Sequence, residues 1–214
     1  VQAMAGIMSV NGEAGGDPLR VGLPVVDMVT GLNAVIGVLL ALHERAASGQ
    51  GQLVDAALYD SGLSLLHPHA ANWFMSGKLP QRTGNAHPNI YPYDVIRTGG
   101  APVFLAVGND RQFRLLCDYI GQPALADDAR FATAGQRSVH RAVLKPLLEQ
   151  ACGARDGQEL ADALAATGVP AAPVLNVEQA LAHPHTLHRE MVVKMDGYQG
   201  LGAPAKLGRT PATY

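Results

Sequence analysis

Residues 22 to 42 read GLPVVDMVTGLNAVIGVLLAL. Asp27 is the one charged side chain in this stretch, and it stands where a strand-like run, LRVGLPVV, gives way to a long apolar segment. Thr30, Asn33 and the glycines 31 and 37 interrupt the apolar run from Met28 to Leu42. A membrane span asks for roughly 20 apolar residues. The shorter run here reads as a core helix, buried, extending from about Asp27 to Ala47 and closed by Ser48-Gly49 as a glycine C-cap. Aspartate accepts backbone N–H bonds at a helix start, so spacing alone makes Asp27 an N-cap. The same placement suits chemistry. The positive end of a helix dipole favours a charged carboxylate, and in a cleft that oxygen can attack an activated acyl group.

Outward from this stretch, the chain of 214 residues suffices for one good-sized core, or one and a half domains. Its 48% apolar and 16% charged content is that of a well-buried globular protein. A formal net charge of -2 gives no reason to expect nucleic acid or an anionic membrane as partner. Cys117 and Cys152 form no CxxC motif and read as buried thiols of a reducing compartment, which points to the cytoplasm. The opening VQAMAGIMSVNG reads as a helix entered midway, from Val1 to Val10, so a piece of a longer protein is expected.

Local patterns extend the reading. LVDAAL, from Leu53, is short and apolar enough for a buried strand. YDSGLSLLHPHAANWFMSG reads as one helix with Asp60 or Ser61 near its start and Gly77 beyond its end. Composition changes over residues 78–100, rich in Pro, Gly and Asn, and a domain crossover is placed there. Beyond it, PVFLAVG is a strand, and DRQFRLLCDYIG is a helix capped by Asn109 or Asp110. A further helix holds Pro146, expected to kink it, and another is capped by Asp156 and closed by Gly168. VPAAPVLNVEQALAHP reads as strand then short helix, and MVVKMDGYQGLGAPAKL as a closing hairpin. The pattern is α/β, divided as 1–77, 78–182 and 183–214.

The phosphate-loop, dinucleotide and GxSxG motifs are absent. His67 and His69, and His183, His185 and His188, have spacings that can bind zinc, but no Cys or carboxylate falls at a companion spacing. They read as loop or surface histidines, and no metal is expected. Asp55 reads as an outward-facing or ion-paired strand residue, and Asp60 as a cap. The segment TGNAHPNIYPYDVI combines adaptable Gly84, Asn85 and Asn89 with Tyr91, Pro92 and Tyr93, which can pin one end. Such loops close over sites and present N–H groups to an oxyanion. By composition alone an inter-domain linker fits as well.

Taken in order, VQAMAGIMSVNG, GLPVVDMVTGLNAVIGVLLALHER, SGQGQLVDAALYD, GNAHPNIYPYDVIRTGG and FLAVGNDRQFRLLC make the chain resemble a class III CoA-transferase of the CaiB/BaiF type. The likeness continues through GVPAAPVLNVEQALAHP, REMVV and LGRTP, so it spans essentially the whole chain. It implies that Asp27, in its D-x-x-x-G setting with Gly31, is the nucleophile that passes CoA through an aspartyl-CoA thioester. It implies a lid over Gly84, Asn85, Ala86, His87 and Tyr93, although the run of glycines found there in formyl-CoA transferases is missing. It further implies a Rossmann-like large domain, of which 1–77 and 183–214 are parts, with a small inserted α+β domain between them. Two full-length chains would interlock as a homodimer. Coenzyme A and acyl-CoA are then substrates, a small carboxylic acid is the co-substrate, and no cofactor is permanently bound. The N-terminal part that supplies most CoA contacts in the family is expected to lie outside this sequence.

Two rivals stand beside this reading. An acyl-CoA racemase of the same superfamily would pair the aspartate with an upstream histidine, at a position before Val1. Racemases tend to follow that aspartate with glycines, whereas Met28-Val29-Thr30 follows Asp27 and favours transfer. A non-catalytic dimerising fragment is the other.

Overall fold

The computed structural model describes all residues, 1–214. In chain order its elements are α1 (Ile7–Val10), α2 (Val25–Ser48), α3 (Leu58–Ser64), α4 (His69–Ser76), β1 (Tyr93–Ile96), β2 (Val103–Ala106), α5 (Asp110–Tyr119), α6 (Ala124–Asp127), α7 (Ala134–Val139), α8 (Arg141–Cys152), α9 (Gly157–Ala166), β3 (Ala171–Pro173), α10 (Val177–Ala182), α11 (Pro184–His188), β4 (Val192–Met195) and β5 (Tyr198–Leu201). They form two compact units, Val1–Asp94 and Val95–Tyr214. The divide falls inside the stretch where composition changes. The content is α/β, as expected.

The first unit departs from several expectations. Residues 18–24 and 51–57 are not strands. A strand needs a neighbour to satisfy its N–H and C=O groups, and this unit offers none to either segment; Leu53 is 91% exposed. Asp55 therefore lies on an exposed, unpaired segment rather than in a sheet. The opening helix is a single turn, Ile7–Val10, preceded by turns that end on left-handed Gly6. The helix expected over residues 59–77 is two, α3 and α4, because Pro68 has no N–H to continue the ladder. Gly77 does end α4 in the left-handed conformation. Asp60 sits in the first turn of α3 and makes no cap bond, the N-cap being Ala57.

The largest correction concerns α2. It runs 24 residues to a left-handed Gly49 cap, and Val26 is its one buried residue. Met28, Leu32, Val35, Ile36, Val38, Leu39, Leu40 and Leu42 are all exposed. By length and composition this helix is long and apolar enough to cross a membrane, so the judgement of insufficient length does not hold, and within residues 1–214 the expected burial of the helix is not seen. At about 1.5 Å per residue α2 is far longer than the seven-residue α3 that packs on it, so most of its apolar surface finds no second layer within the unit.

The second unit holds nearly all of the large buried side chains. Its sheet has the order β1-β2-β3, with β2 and β3 antiparallel in the register Phe104 to Ala172. Val103 and Leu105 alternate inward on β2, the period-2 pattern that marks a half-buried strand. Phe113, Leu116 and Cys117 on α5, Leu144, Leu148 and Cys152 on α8, and Leu160 and Leu164 on α9 bury one face each at helical spacing. The helix ends follow sequence signals. The Asn109 side chain accepts from Gln112 N at 2.9 Å, Asp156 accepts from the N–H groups of Gln158 and Glu159, and Asn176 with Gln179 closes a full capping box. Pro146 lies inside α8. Both cysteines are buried and free. A hairpin of β4 and β5 turns at left-handed Gly197.

Candidate active site

Asp27 stands on the first turn of α2 as its third residue; the N-cap is Pro24, which makes no side-chain cap bond. The expected N-cap role is thus replaced by a place within the first turn, where the side chain is exposed. Its neighbour Val26 anchors the turn. Val26 is 2% exposed, and both it and the buried Ala5 lie against Gly62 of α3. Gly62 lets α3 approach them, since a Cβ there would come within 2.9 Å of the Ala5 Cβ. Asn33 ties α2 to α3 by donating to Ser61 Oγ at 3.2 Å. With Val26 held inward, Asp27 is turned toward a cleft of about 420 Å³ whose walls include Gln2, Met8, Arg20, Pro24 and Leu58.

The approach to this cleft is braced by Gln2. Its amide accepts from Val21 N at 2.9 Å and donates to Val21 O at 3.4 Å, a two-point clamp across 19 residues of sequence. Arg20 donates from Nη1 to the same carbonyl at 3.1 Å. Arg20 and Asp27 are the charged side chains of the cleft. Sequence reasoning missed Arg20, because nothing in a spacing of seven residues outside a helix says that two side chains share a wall.

The segment proposed as a lid is held at several points. Gly84, at φ +62°, donates to Gly12 O at 3.0 Å, and His87 N donates to Tyr93 O at 2.8 Å. The His87 and Tyr93 rings stack with centroids 5.1 Å apart. Asn89 and Asn72 exchange amide hydrogen bonds at 3.0 and 3.1 Å, which joins the segment to α4. Tyr91 is buried. A cavity of about 490 Å³ opens here, with His69, Asn72, Lys78 and Asn89 among its lining. Burial, followed by the nearby His87, lowers the pKa of His69. None of Gly84, Asn85, Ala86, His87 or Tyr93 lines the Asp27 cleft, so in this conformation the two groups of site residues are apart. No three His, Cys, Asp or Glu side chains converge as metal ligands.

The model of CoA-transferase family III matches residues 1–214, the full length of the chain. This chain belongs to CoA-transferase family III. A succinate–glutarate CoA-transferase of Agrobacterium fabrum is 36% identical to the family III chain over 219 residues, covering 100% of it and 55% of the relative. An acetyl-CoA:oxalate CoA-transferase of Acetobacter aceti is 36% identical over 208 residues, covering 97% of this chain and 54% of its own. The crystal structure of a CaiB/BaiF family protein from Brucella suis matches with a TM-score of 0.81 at 39% identity, over 98% of this chain and 56% of that one. The family III chain therefore spans about half the length of the curated relatives it matches.

Proposed function

We propose that the full-length protein transfers CoA between an acyl-CoA and a carboxylic acid, with Asp27 as nucleophile. The observation that carries this is the exposed Asp27 carboxylate in a cleft at the start of α2, in a chain matched by the family model from end to end. Family membership supports CoA transfer as the chemistry, and the aspartyl intermediate is what the resemblance implies for Asp27, whose exposed position in a cleft is compatible with it. An Asp27 oxygen attacks the thioester carbonyl, the C–S bond breaks, and CoA leaves as thiolate. The thiolate then attacks the Asp27 carbonyl carbon of the mixed anhydride and releases the donor acid as carboxylate. The acceptor carboxylate attacks the resulting aspartyl-CoA thioester and expels the thiolate. That thiolate takes the acceptor acyl group and restores the Asp27 carboxylate. Each intermediate is as activated as the thioester it came from, so the thioester free energy survives while water is excluded. No resident cofactor is needed.

The names of the relatives, which concern succinate, glutarate, oxalate and mesaconate, support dicarboxylic acids as the substrate class. The segment from Gly84 to Tyr93, with Asn85, Ala86 and His87, is proposed to close over the aspartyl intermediates. Gly84, with its positive φ, is a residue whose backbone can take up the change such a closure needs. We take the intact protein to be an interlocked cytoplasmic homodimer. The long exposed apolar face of α2 supports packing against further polypeptide, since contiguous apolar surface of this extent marks an interaction site.

The test incubates the full-length protein with succinyl-CoA and traps the adduct with hydroxylamine before peptide mapping. An Asp27 hydroxamate is expected, together with a loss of CoA exchange of roughly 10³-fold or more in Asp27→Ala. Full exchange by Asp27→Ala would sink the proposal. Washout of α-deuterium from a chiral 2-methylacyl-CoA without CoA exchange would replace it with racemase chemistry.

A further inference from the structure

We infer that Arg20 is the specificity residue that holds the second carboxylate of a dicarboxylic acid in the Asp27 cleft. This rests on the CoA-transfer reading above. The reaction brings an anion, the acceptor acid, to a site whose nucleophile is itself an anion. With a diacid a second negative charge comes along. Like charges at contact distance oppose that approach, and a cation in the same cleft offsets it. Arg20 is the cationic side chain of the cleft's lining. Its guanidinium carries five N–H donors, and the hydrogen bond recorded for it is the single one from Nη1 to Val21 O. It forms no salt bridge within the chain.

Arg20 is also held in place. Its bond runs to the carbonyl of the next residue, Val21, which the Gln2 amide also clamps from 19 residues away, so one end of the fork is tied to a braced backbone. The remaining donors are then available to a planar, two-oxygen partner, the geometry in which arginine binds carboxylates with two parallel bonds. A cleft of about 420 Å³ beside Asp27 is of a size for a small diacid. Beside the Gln2 amide, Met8, Pro24, Val26 and Leu58 give the cleft apolar wall that suits the methylene spacer between two carboxylates. The division of roles is thus one carboxylate at Asp27 for chemistry and the other at Arg20 for recognition.

The experiment uses full-length protein, a single acyl-CoA donor, and two acceptors of equal carbon number, glutarate and pentanoate. The measured quantity is the ratio of kcat/KM for the two. Arg20→Met should lower the glutarate preference by about 10- to 100-fold, carried mainly by KM, as expected for one charge-assisted carboxylate contact. Arg20→Lys, which keeps the charge without the fork, should recover part of it. An unchanged ratio in Arg20→Met would overturn the assignment. So would a rise in the KM of acyl-CoA alone, which would place Arg20 on the phosphates of CoA. The wild-type Asp27 hydroxamate separates the failures. If it forms while the ratio stays fixed, only the role of Arg20 falls; if it never forms, the CoA-transfer mechanism falls with it.

Discussion

Arg137 offers the sharpest test of how the second unit is held together. Its side chain is 0% exposed, yet the Asp110 carboxylate it meets at 2.8 Å is 58% exposed. Nη1 donates to the Phe131 carbonyl at 2.9 Å, and the guanidinium lies 4.5 Å from the centroid of the Phe113 ring. In Arg137→Met the chain keeps most of the buried volume and loses the polar head. The buried Phe131 carbonyl loses this donor, at about 1–3 kcal/mol, and the ring contact removes about 0.5–2 kcal/mol. Asp110, already more than half in water, returns to solvent at little cost. The expected destabilisation is about 2–4 kcal/mol, or a Tm lowered by roughly 5–15 °C for a chain of this size. Asp110→Ala leaves the guanidinium with an edge that water reaches where the carboxylate stood, so its cost is smaller, about 1–2 kcal/mol. Urea unfolding of the two variants, followed by far-UV circular dichroism, gives both numbers. Trp73, the single tryptophan, belongs to the first unit, so its fluorescence reports separately on the unit the substitutions do not touch. A loss below about 0.5 kcal/mol in Arg137→Met, or a larger loss in Asp110→Ala, would refute the reasoning.

The remaining predictions concern a thiol and a glycine. Burial, with help from Asp118, pushes the Cys117 thiol up to about 12 from an ordinary value of 9.0. Iodoacetamide at pH 8 should therefore leave Cys117 unmodified in the native protein and label it after unfolding, as read by mass spectrometry. The native state holds this proton more tightly than the unfolded chain, so the associated stability is complete below pH 9 and is lost as pH rises through about 12. Denaturation midpoints that rise across that alkaline range would contradict it. Gly157 opens α9 with no room for a side chain, because a Cβ would collide with the Ala101 carbonyl, a backbone atom that cannot rotate away. Gly157→Ala should cost about 1–3 kcal/mol in thermal unfolding, despite the better helix propensity of alanine, and a stabilised variant would show that the approach is looser than it looks.

Asn109, Asp156 and the Asn176/Gln179 box mark helix starts by bonds that reach only two or three residues along the chain. The alternation in β2 and the apolar spacing in α5, α8 and α9 are equally local, and each of these elements was legible before any coordinates. So were the glycine stops at 49 and 77, where a left-handed backbone suits a residue without a Cβ. The ordered motifs placed the chain in its family and singled out Asp27. Burial and strand pairing, by contrast, depend on groups distant in sequence. LRVGLPVV and LVDAAL have strand-like composition, yet they form no strand without a neighbouring ladder. The apolar run of α2 reads the same whether a second layer covers it or not, and only the tertiary structure leaves Met28 to Leu42 largely exposed. Asp27 moved from cap to first-turn residue because Val25 and Val26 enter the helix ahead of it, Val26 being buried against Gly62 of α3. Arg20 joined it in the cleft through the Gln2 clamp on Val21, a contact between residues 19 apart that no periodicity records.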